Sequence, residues 1–151
     1  VSVLINGQVP TGFERQYAAS GKIADHFSKE SDYLTIEYPA NTYAWGSPYF
    51  RVSALSGRVL EMDFSNYSKL FIEMRGEVGG ESLEITMKDK YDPDDGTESR
   101  YQITLTDEWK TYEVETRRFH TADMNIIKMP LGFIFTGSDG RKIHVRSIQF
   151  R

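Results

Sequence analysis

Two glutamates on successive segments of alternating polarity have the residue type needed to cleave a glycosidic bond. Glu73 and Glu84 each lie on the polar side of such a segment, and glycoside hydrolysis needs two carboxyl groups about 5 to 9 Å apart across a cleft. Arg75 and Lys88 share those polar sides, and a nearby cation keeps a carboxyl ionised instead of raising its pKa to that of a general acid. The pattern therefore favours binding over catalysis.

The densest acidic run, residues 89–98, has the composition of a calcium loop because hard cations prefer several carboxylate oxygens. The spacing of these residues does not match that of an EF-hand loop. With Gly96 at the sixth position, the first, third and twelfth positions hold Tyr91, Pro93 and Gln102, which supply no carboxylate. We therefore expect a solvated turn between two strands. We predict no cofactor, and a structural calcium stays open although no motif supports one.

The most informative segment runs Tyr-Ala-Trp-Gly-Ser-Pro-Tyr-Phe-Arg from Tyr43 to Arg51. Sugar rings present apolar C–H faces on which flat aromatic side chains stack, while amides and charged groups bond to the hydroxyls. Trp45, with Tyr43 or Tyr49, suits that task. A tryptophan beside glycine at a strand start is equally typical of a core residue whose indole N–H bonds to the backbone. Both interpretations of Trp45 stay open at this point.

Nucleophilic and thiol chemistry find no support in the sequence. Ser138 lies in Thr-Gly-Ser-Asp-Gly, which lacks the spacing of a nucleophile elbow. His26, His120 and His144 are far apart without metal-ligand spacing, and there is no cysteine. We expect His144 to be an exposed imidazole on the polar side of the last strand.

Length and composition indicate a folded protein with a substantial core. The chain has 151 residues, of which 39% are hydrophobic and 26% are charged, and this excludes a disordered tail and a disulfide scaffold. We expect one domain, residues 1–151. The net charge of −4 makes nucleic acid an unexpected partner, and no apolar run reaches the roughly 18 residues of a membrane span. Without a leader before Val1, we expect a mature or excised part of a larger multi-domain protein, extracellular or periplasmic.

The hydrophobic pattern repeats every two residues, which is typical of half-buried strands. Residues 14–19 fit a short helix or a strand edge equally. Many short strands separated by turn dipeptides predict an all-β protein, a two-sheet antiparallel β-sandwich of the jelly-roll kind. The predicted strands are residues 33–38, 48–54, 58–63, 69–76, 82–88, 100–105, 109–116, 131–136 and 142–150.

The alternation also divides the residues into a core and a polar face. We expect the polar face of one sheet to form a shallow groove that carries Glu73, Arg75, Glu84, Lys88, Gln102 and Thr104. The predicted core consists of Leu34, Ile36, Leu70, Ile72, Met74, Leu83, Ile85, Met87, Ile103, Leu105, Phe133, Phe135, Ile143, Val145 and Ile148.

Four segments together resemble a known family. They are residues 63–76, residues 105–114, Phe119 with residues 122–126, and residues 143–150. Their order is similar to that in galactose-binding-like jelly rolls, among them carbohydrate-binding modules related to family 11 and domains like complex I intermediate-associated protein 30. The family 11 modules usually carry an Asp near a structural calcium where this chain has Arg146, which cannot ligate a cation.

The resemblance implies a non-catalytic carbohydrate-binding module whose partner is a polysaccharide or oligosaccharide. A ligand-sensing or protein-interaction domain is the alternative, and a glycoside hydrolase comes third. The expected ligand-binding residues are Tyr43, Trp45, Tyr49, Glu73, Arg75, Lys88 and Gln102.

Overall fold

A computed structural model describes residues 1–53 and 60–151 of the chain. Its elements are almost all strands, with one short 3-10 helix at Thr116–Arg118. In chain order the strands are β1 (Ser2–Leu4), β2 (Phe13–Ala19), β3 (Lys22–Ala24), β4 (Phe27–Lys29), β5 (Leu34–Tyr38), β6 (Trp45–Val52), β7 (Lys69–Gly76), β8 (Ser82–Asp89), β9 (Arg100–Thr104), β10 (Lys110–Glu115), β11 (Ile127–Thr136) and β12 (Arg141–Phe150).

The strands form two antiparallel sheets. The first sheet has the order β10-β7-β12-β5-β4, and β1 also pairs with β12. The second sheet has the order β3-β2-β6-β11-β8-β9. The predicted all-β architecture, a sandwich of two antiparallel sheets, is confirmed.

The core lies between the sheets and is built from the inward-facing side of each alternating strand. On β7, for example, Leu70, Ile72 and Met74 are fully buried, while Glu73 and Arg75 point outward and remain partly exposed. Every predicted core residue is buried. Large aromatic side chains that the prediction omitted complete the core, namely Tyr17, Tyr38, Phe50, Phe64, Phe119 and Phe150.

The connection from β7 to β8 differs from the prediction that both strands share one polar face. These strands are consecutive in the chain but belong to different sheets. Gly79 and Gly80 in the connection have φ of 92° and 90°, a conformation that glycine adopts without a Cβ clash. The expected single polar face is therefore wrong: Glu73 and Arg75 lie on the outside of the first sheet. The other four residues predicted for that face belong to β8 and β9 of the second sheet.

Other differences concern strand limits. Residues 14–19 belong to β2. The predicted strand at 58–63 is wrong over residues 60–63, where Met62 makes only an isolated bridge with Ile127. Residues 58 and 59 of that prediction, and residue 54 of the strand predicted at 48–54, lie outside the described residues. Across 1–53 and 60–151, no helix is long and apolar enough to cross a membrane.

His144 also differs from its prediction, because it is buried and not exposed. Its Nδ1 lies 2.8 Å from the hydroxyl of Thr35, and its Nε2 contacts the carboxylate of Glu77. Both ring nitrogens thus have polar partners, which removes the cost of enclosing an imidazole. The residue stabilises the pairing of β12 with β5.

Candidate functional site

A cleft of about 780 Å³ opens on the outer face of the second sheet. Its floor is formed by β6, β11 and β8, and one wall is formed by the loop that connects β8 to β9. The volume is within the range of 300 to 1,000 Å³ that is usual for small-molecule sites.

Strand β6 supplies the aromatic side of the cleft. Trp45, Ser47, Tyr49 and Arg51 alternate with buried residues and all line the cleft. Trp45 is 38% exposed. Gly46 next to it packs on the core, and a Cβ there would lie only 2.8 Å from the ring of Tyr38. The glycine therefore allows the strand to lie close to the core while Trp45 points to solvent.

The floor is made of small and apolar side chains. Ile134 and Thr136 of β11 line it together with Thr86 of β8. Tyr49 is held upright because its hydroxyl donates to the side-chain oxygen of Gln16 on β2. Burial raises the pKa of Tyr49, so the hydroxyl remains protonated and able to donate at neutral pH.

Hydrogen bonds fix the loop that walls the cleft. The Thr86 hydroxyl donates to the backbone oxygen of Ser99 at 2.7 Å, and Ser99 N–H donates to the Thr121 hydroxyl at 2.8 Å. Asp95 accepts from the backbone N–H and the hydroxyl of Thr97. As expected, the loop is a solvated turn between two strands, with residues 91 and 93–97 exposed, but its end packs on the sheet, where Ser99 is buried and the side chain of Glu98 is only 6% exposed.

The basic side chains of the cleft have acidic partners. Arg51 Nε lies 2.8 Å from Glu14 Oε1. Asp94 Oδ1 lies 3.0 Å from Lys88 Nζ and 4.0 Å from Lys128 Nζ. The hydrogen bond from Lys88 is the largest effect on Asp94 and lowers the pKa of its carboxyl.

Arg100 is shared between two acids at the outer margin of the cleft. Its guanidinium nitrogens lie 3.5 Å from Glu84 and 3.5 Å from Glu98. Among the residues that the structure describes, the second carboxylate oxygen of Glu98 is buried without a hydrogen-bond partner, as is one oxygen of Asp92. Burial raises the pKa of Asp92, and the carboxylates of Asp89 and Glu98 add to the effect.

The structure brings three of the sequence-predicted binding residues together. Trp45, Tyr49 and Lys88 all line the cleft. Gln102 lies on the same sheet face, opposite Glu84 in the pairing of β8 with β9 and just outside the cleft. These four side chains therefore lie on the same outer face of the second sheet.

The remaining three predicted residues lie elsewhere. The Tyr43 hydroxyl lies 2.8 Å from Nε2 of His26, and its ring packs against the core. Glu73 accepts a hydrogen bond from Arg146, and the Arg75 guanidinium lies 5.5 Å from the ring centroid of Trp109. The two glutamates considered for glycoside cleavage are also separated, since Glu73 and Glu84 lie on opposite outer faces of the sandwich.

Sequence reasoning missed Arg51, Asp94, Glu98, Arg100 and Lys128 as cleft residues. A signal was present for Arg51, because alternation from Trp45 places it on the same face. No comparable signal exists for the loop residues, whose positions depend on how the loop folds over β8.

No metal site is found in the part of the chain that the structure describes. Within residues 1–53 and 60–151, no three His, Cys, Asp or Glu side chains are grouped so that they could hold a metal ion. In the acidic loop, Asp89 instead accepts from the backbone N–H groups of Tyr91 and Asp123 at 2.8 Å each.

No family model and no curated protein matches the sequence, but several solved structures match the fold. A family 11 carbohydrate-binding module from Clostridium thermocellum, solved in complex with a β-1,3-1,4-mixed-linked tetrasaccharide, matches with a TM-score of 0.66 and 17% identity, over 97% of this chain and 92% of that chain. A family 30 module of a Clostridium thermocellum cellulosomal cellulase matches with a TM-score of 0.67 and 17% identity, over 100% and 97%. A family 29 module variant, made to probe ligand recognition, matches with a TM-score of 0.64 and 13% identity, over 99% and 89%.

The chain has the fold of these carbohydrate-binding modules. At 13 to 17% identity the likeness concerns the β-sandwich, and superfolds of this kind host many functions. What this chain binds therefore depends on the chemistry of its own cleft.

Proposed function

We propose that the protein is a non-catalytic carbohydrate-binding module that holds an uncharged polysaccharide chain in the cleft of the second sheet. The observation that carries the proposal is the exposed indole of Trp45 at the margin of an open cleft lined with polar groups. The solved structures with this fold include a module bound to a tetrasaccharide.

The side chains of the cleft match the two kinds of surface on a sugar. The indole of Trp45 and the phenol ring of Tyr49 offer flat apolar faces that can stack on the C–H face of a sugar ring. Lys88 and Arg100 supply N–H donors to sugar hydroxyls, and the Thr136 hydroxyl can donate or accept.

Charge balance supports an uncharged ligand. Within the described residues, each basic side chain of the cleft lies within 4.0 Å of a carboxylate. An acidic polysaccharide would have to compete with those carboxylates and would face their repulsion. A neutral glycan can instead use the N–H groups and oxygens that the ion pairs leave free.

The carboxylates around the cleft also favour binding without chemistry. Glu84 and Glu98 contact the same guanidinium, that of Arg100. Glycoside cleavage needs two carboxyl groups that face each other across the scissile bond, whereas these two carboxylates contact one side chain. A module of this kind raises the local concentration of a tethered enzyme on its polysaccharide.

Affinity electrophoresis through gels that contain a soluble neutral polysaccharide tests the proposal. The panel includes mixed-linked β-1,3-1,4-glucan, xylan and mannan, with polygalacturonate as the charged comparison. We expect retardation by a neutral polymer and a loss of roughly tenfold or more in affinity for Trp45→Ala, from lost stacking and apolar contact.

Trp109→Ala is the matched control because Trp109 lies on the outer face of the first sheet, where its ring packs on the guanidinium of Arg146. It should leave retardation unchanged. The proposal fails if no polysaccharide retards the native protein, or if Trp45→Ala is retarded as strongly as the native chain.

A further inference from the structure

We propose that the glycan-binding surface continues beyond the cleft along one row of side chains that crosses all six strands of the second sheet, with Ile23 as an apolar contact at its outer end. This inference rests on the proposed function. It adds a subsite that the cleft itself does not include.

Strand register defines one half of the row. Ile23 of β3 pairs with Ala18 of β2, and Ala18 pairs with Ser47 of β6. Directly paired residues of antiparallel strands point to the same face of a sheet, with Cβ atoms about 4.5 to 5.5 Å apart. Because Ala18 and Ser47 both line the cleft, the side chain of Ile23 stands on the cleft face.

The other half continues from the cleft to the opposite edge. The register of β11 with β6 places Ile134 opposite Ser47. Ile134 then pairs with Glu84 of β8, and Glu84 pairs with Gln102 of β9. Six strands give five inter-strand steps of about 4.8 Å, so the row is about 24 Å long. Such a row is long enough for several linked pyranose rings.

The side chain of Ile23 is accessible to solvent and can therefore contact a glycan. It is 70% exposed, although its neighbours Tyr17 and Ala19 on the paired strand are fully buried. The tight turn between β2 and β3 holds it at the sheet edge, with Ser20 and Gly21 at φ of 46° and 82°. The apolar side chain of Ile23 therefore lies one strand beyond Ala18, on the same face of the sheet as the cleft.

The surroundings favour a continuing glycan over a second protein chain. The residues that follow Ile23 across the sheet are the small side chains of Ala18 and Ser47, and both line the cleft, so the cleft surface begins at the strand next to Ile23. A stable dimer buries about 800 Å² on each partner around an apolar centre. A sugar chain that leaves the cleft needs only a narrow track with one apolar contact.

The test measures affinity as a function of glycan length by isothermal titration calorimetry. The probes are oligosaccharides of increasing length prepared from the polysaccharide that retards the native protein. We expect native affinity to increase with length until the track is filled. We expect Ile23→Asn to lose roughly 5- to 10-fold for the longest probes, and less than twofold for the shortest probe that fills the cleft.

Ile5→Asn is the matched control, because Ile5 is also exposed and follows β1 of the first sheet. It should bind every probe like the native chain. Equal affinity of Ile23→Asn and native protein for the longest probes overturns the inference while the proposed function stands. Loss of a native dimer in Ile23→Asn, seen by sedimentation, also overturns it. Absence of any polysaccharide binding overturns both proposals.

Discussion

The ammonium group of Lys88 lies 3.0 Å from a carboxylate oxygen of Asp94, and this contact joins the floor of the cleft to its wall. Lys88 is on β8, whereas Asp94 is in the loop that follows it. Asp94 is 80% exposed and Lys88 only 15%. The ion pair therefore positions a solvent-facing loop against a largely enclosed strand residue.

Asp94→Asn should weaken glycan binding by roughly two- to fivefold, because the amide keeps the shape but removes the charge that attracts Lys88 and Lys128. Stability should change by less than about 1 kcal/mol, since the pair is largely exposed on the aspartate side. Calorimetric titration and urea unfolding measure the two effects. Asp139→Asn, in an exposed loop between β11 and β12, serves as the control. An unchanged affinity would show that the ion pair does not position the loop.

The same ion pair predicts an acid limit for binding. The pKa of Asp94 is lowered in the folded protein. The ion pair therefore contributes its full stability above the unfolded pKa of about 4, and this stability is lost as the pH falls through the lower folded pKa. The pKa of Asp92 is shifted in the opposite direction, because it is raised in the folded protein. Asp92 therefore stabilises the folded loop at low pH, and this stability is lost as the pH rises through the raised pKa.

The Asp94 pair should consequently make affinity decline at a pH below about 4, where the carboxyl of Asp94 becomes protonated. Affinity electrophoresis between pH 3 and 7 measures the profile. The decline should be smaller in Asp94→Asn, which has no carboxylate to protonate at this position. An identical decline in both proteins would assign the acid limit to another group.

Gly46→Ala should destabilise the protein by about 1 to 3 kcal/mol, because the new methyl group would lie 2.8 Å from the buried ring of Tyr38. The shift also moves Trp45, so glycan affinity should decrease as well. Urea unfolding checks the first effect and titration the second. Ser47→Ala, on the cleft side of the same strand, should stay within about 0.5 kcal/mol of the native value. A fully stable Gly46→Ala would contradict the packing described for this strand.

Substitutions on the two outer faces should differ in their effect on binding. Lys88→Ala should weaken it several-fold, because Lys88 lines the cleft and holds Asp94. Arg75→Ala and Glu73→Gln should leave it unchanged, because both residues lie on the other sheet. The same titration measures all three. Weaker binding by Arg75→Ala with native binding by Lys88→Ala would place the site on the first sheet.

The alternation of residues predicted much of this fold and only part of the site. On β7 and β8 it identified which side chains face inward, since burial repeats every two residues. It could not assign the two strands to different sheets, because pairing depends on contacts between distant segments. The pattern therefore predicted Glu73 and Glu84 on one polar face, although they lie on different sheets. Trp45 was a candidate from its residue type alone, with a core position left open, whereas the position of Asp94 depends on a loop whose path the pattern does not encode.

The sequence has two tryptophans, Trp45 and Trp109, and we expect Trp45 in the cleft to contact the ligand. Fluorescence titration with the retarding polysaccharide measures this directly in Trp109→Phe, which keeps Trp45 alone, and in Trp45→Phe, which keeps Trp109 alone. The account predicts a saturable change in emission for Trp109→Phe and none for Trp45→Phe. A saturable change only in Trp45→Phe would contradict it and would move the binding surface to the first sheet.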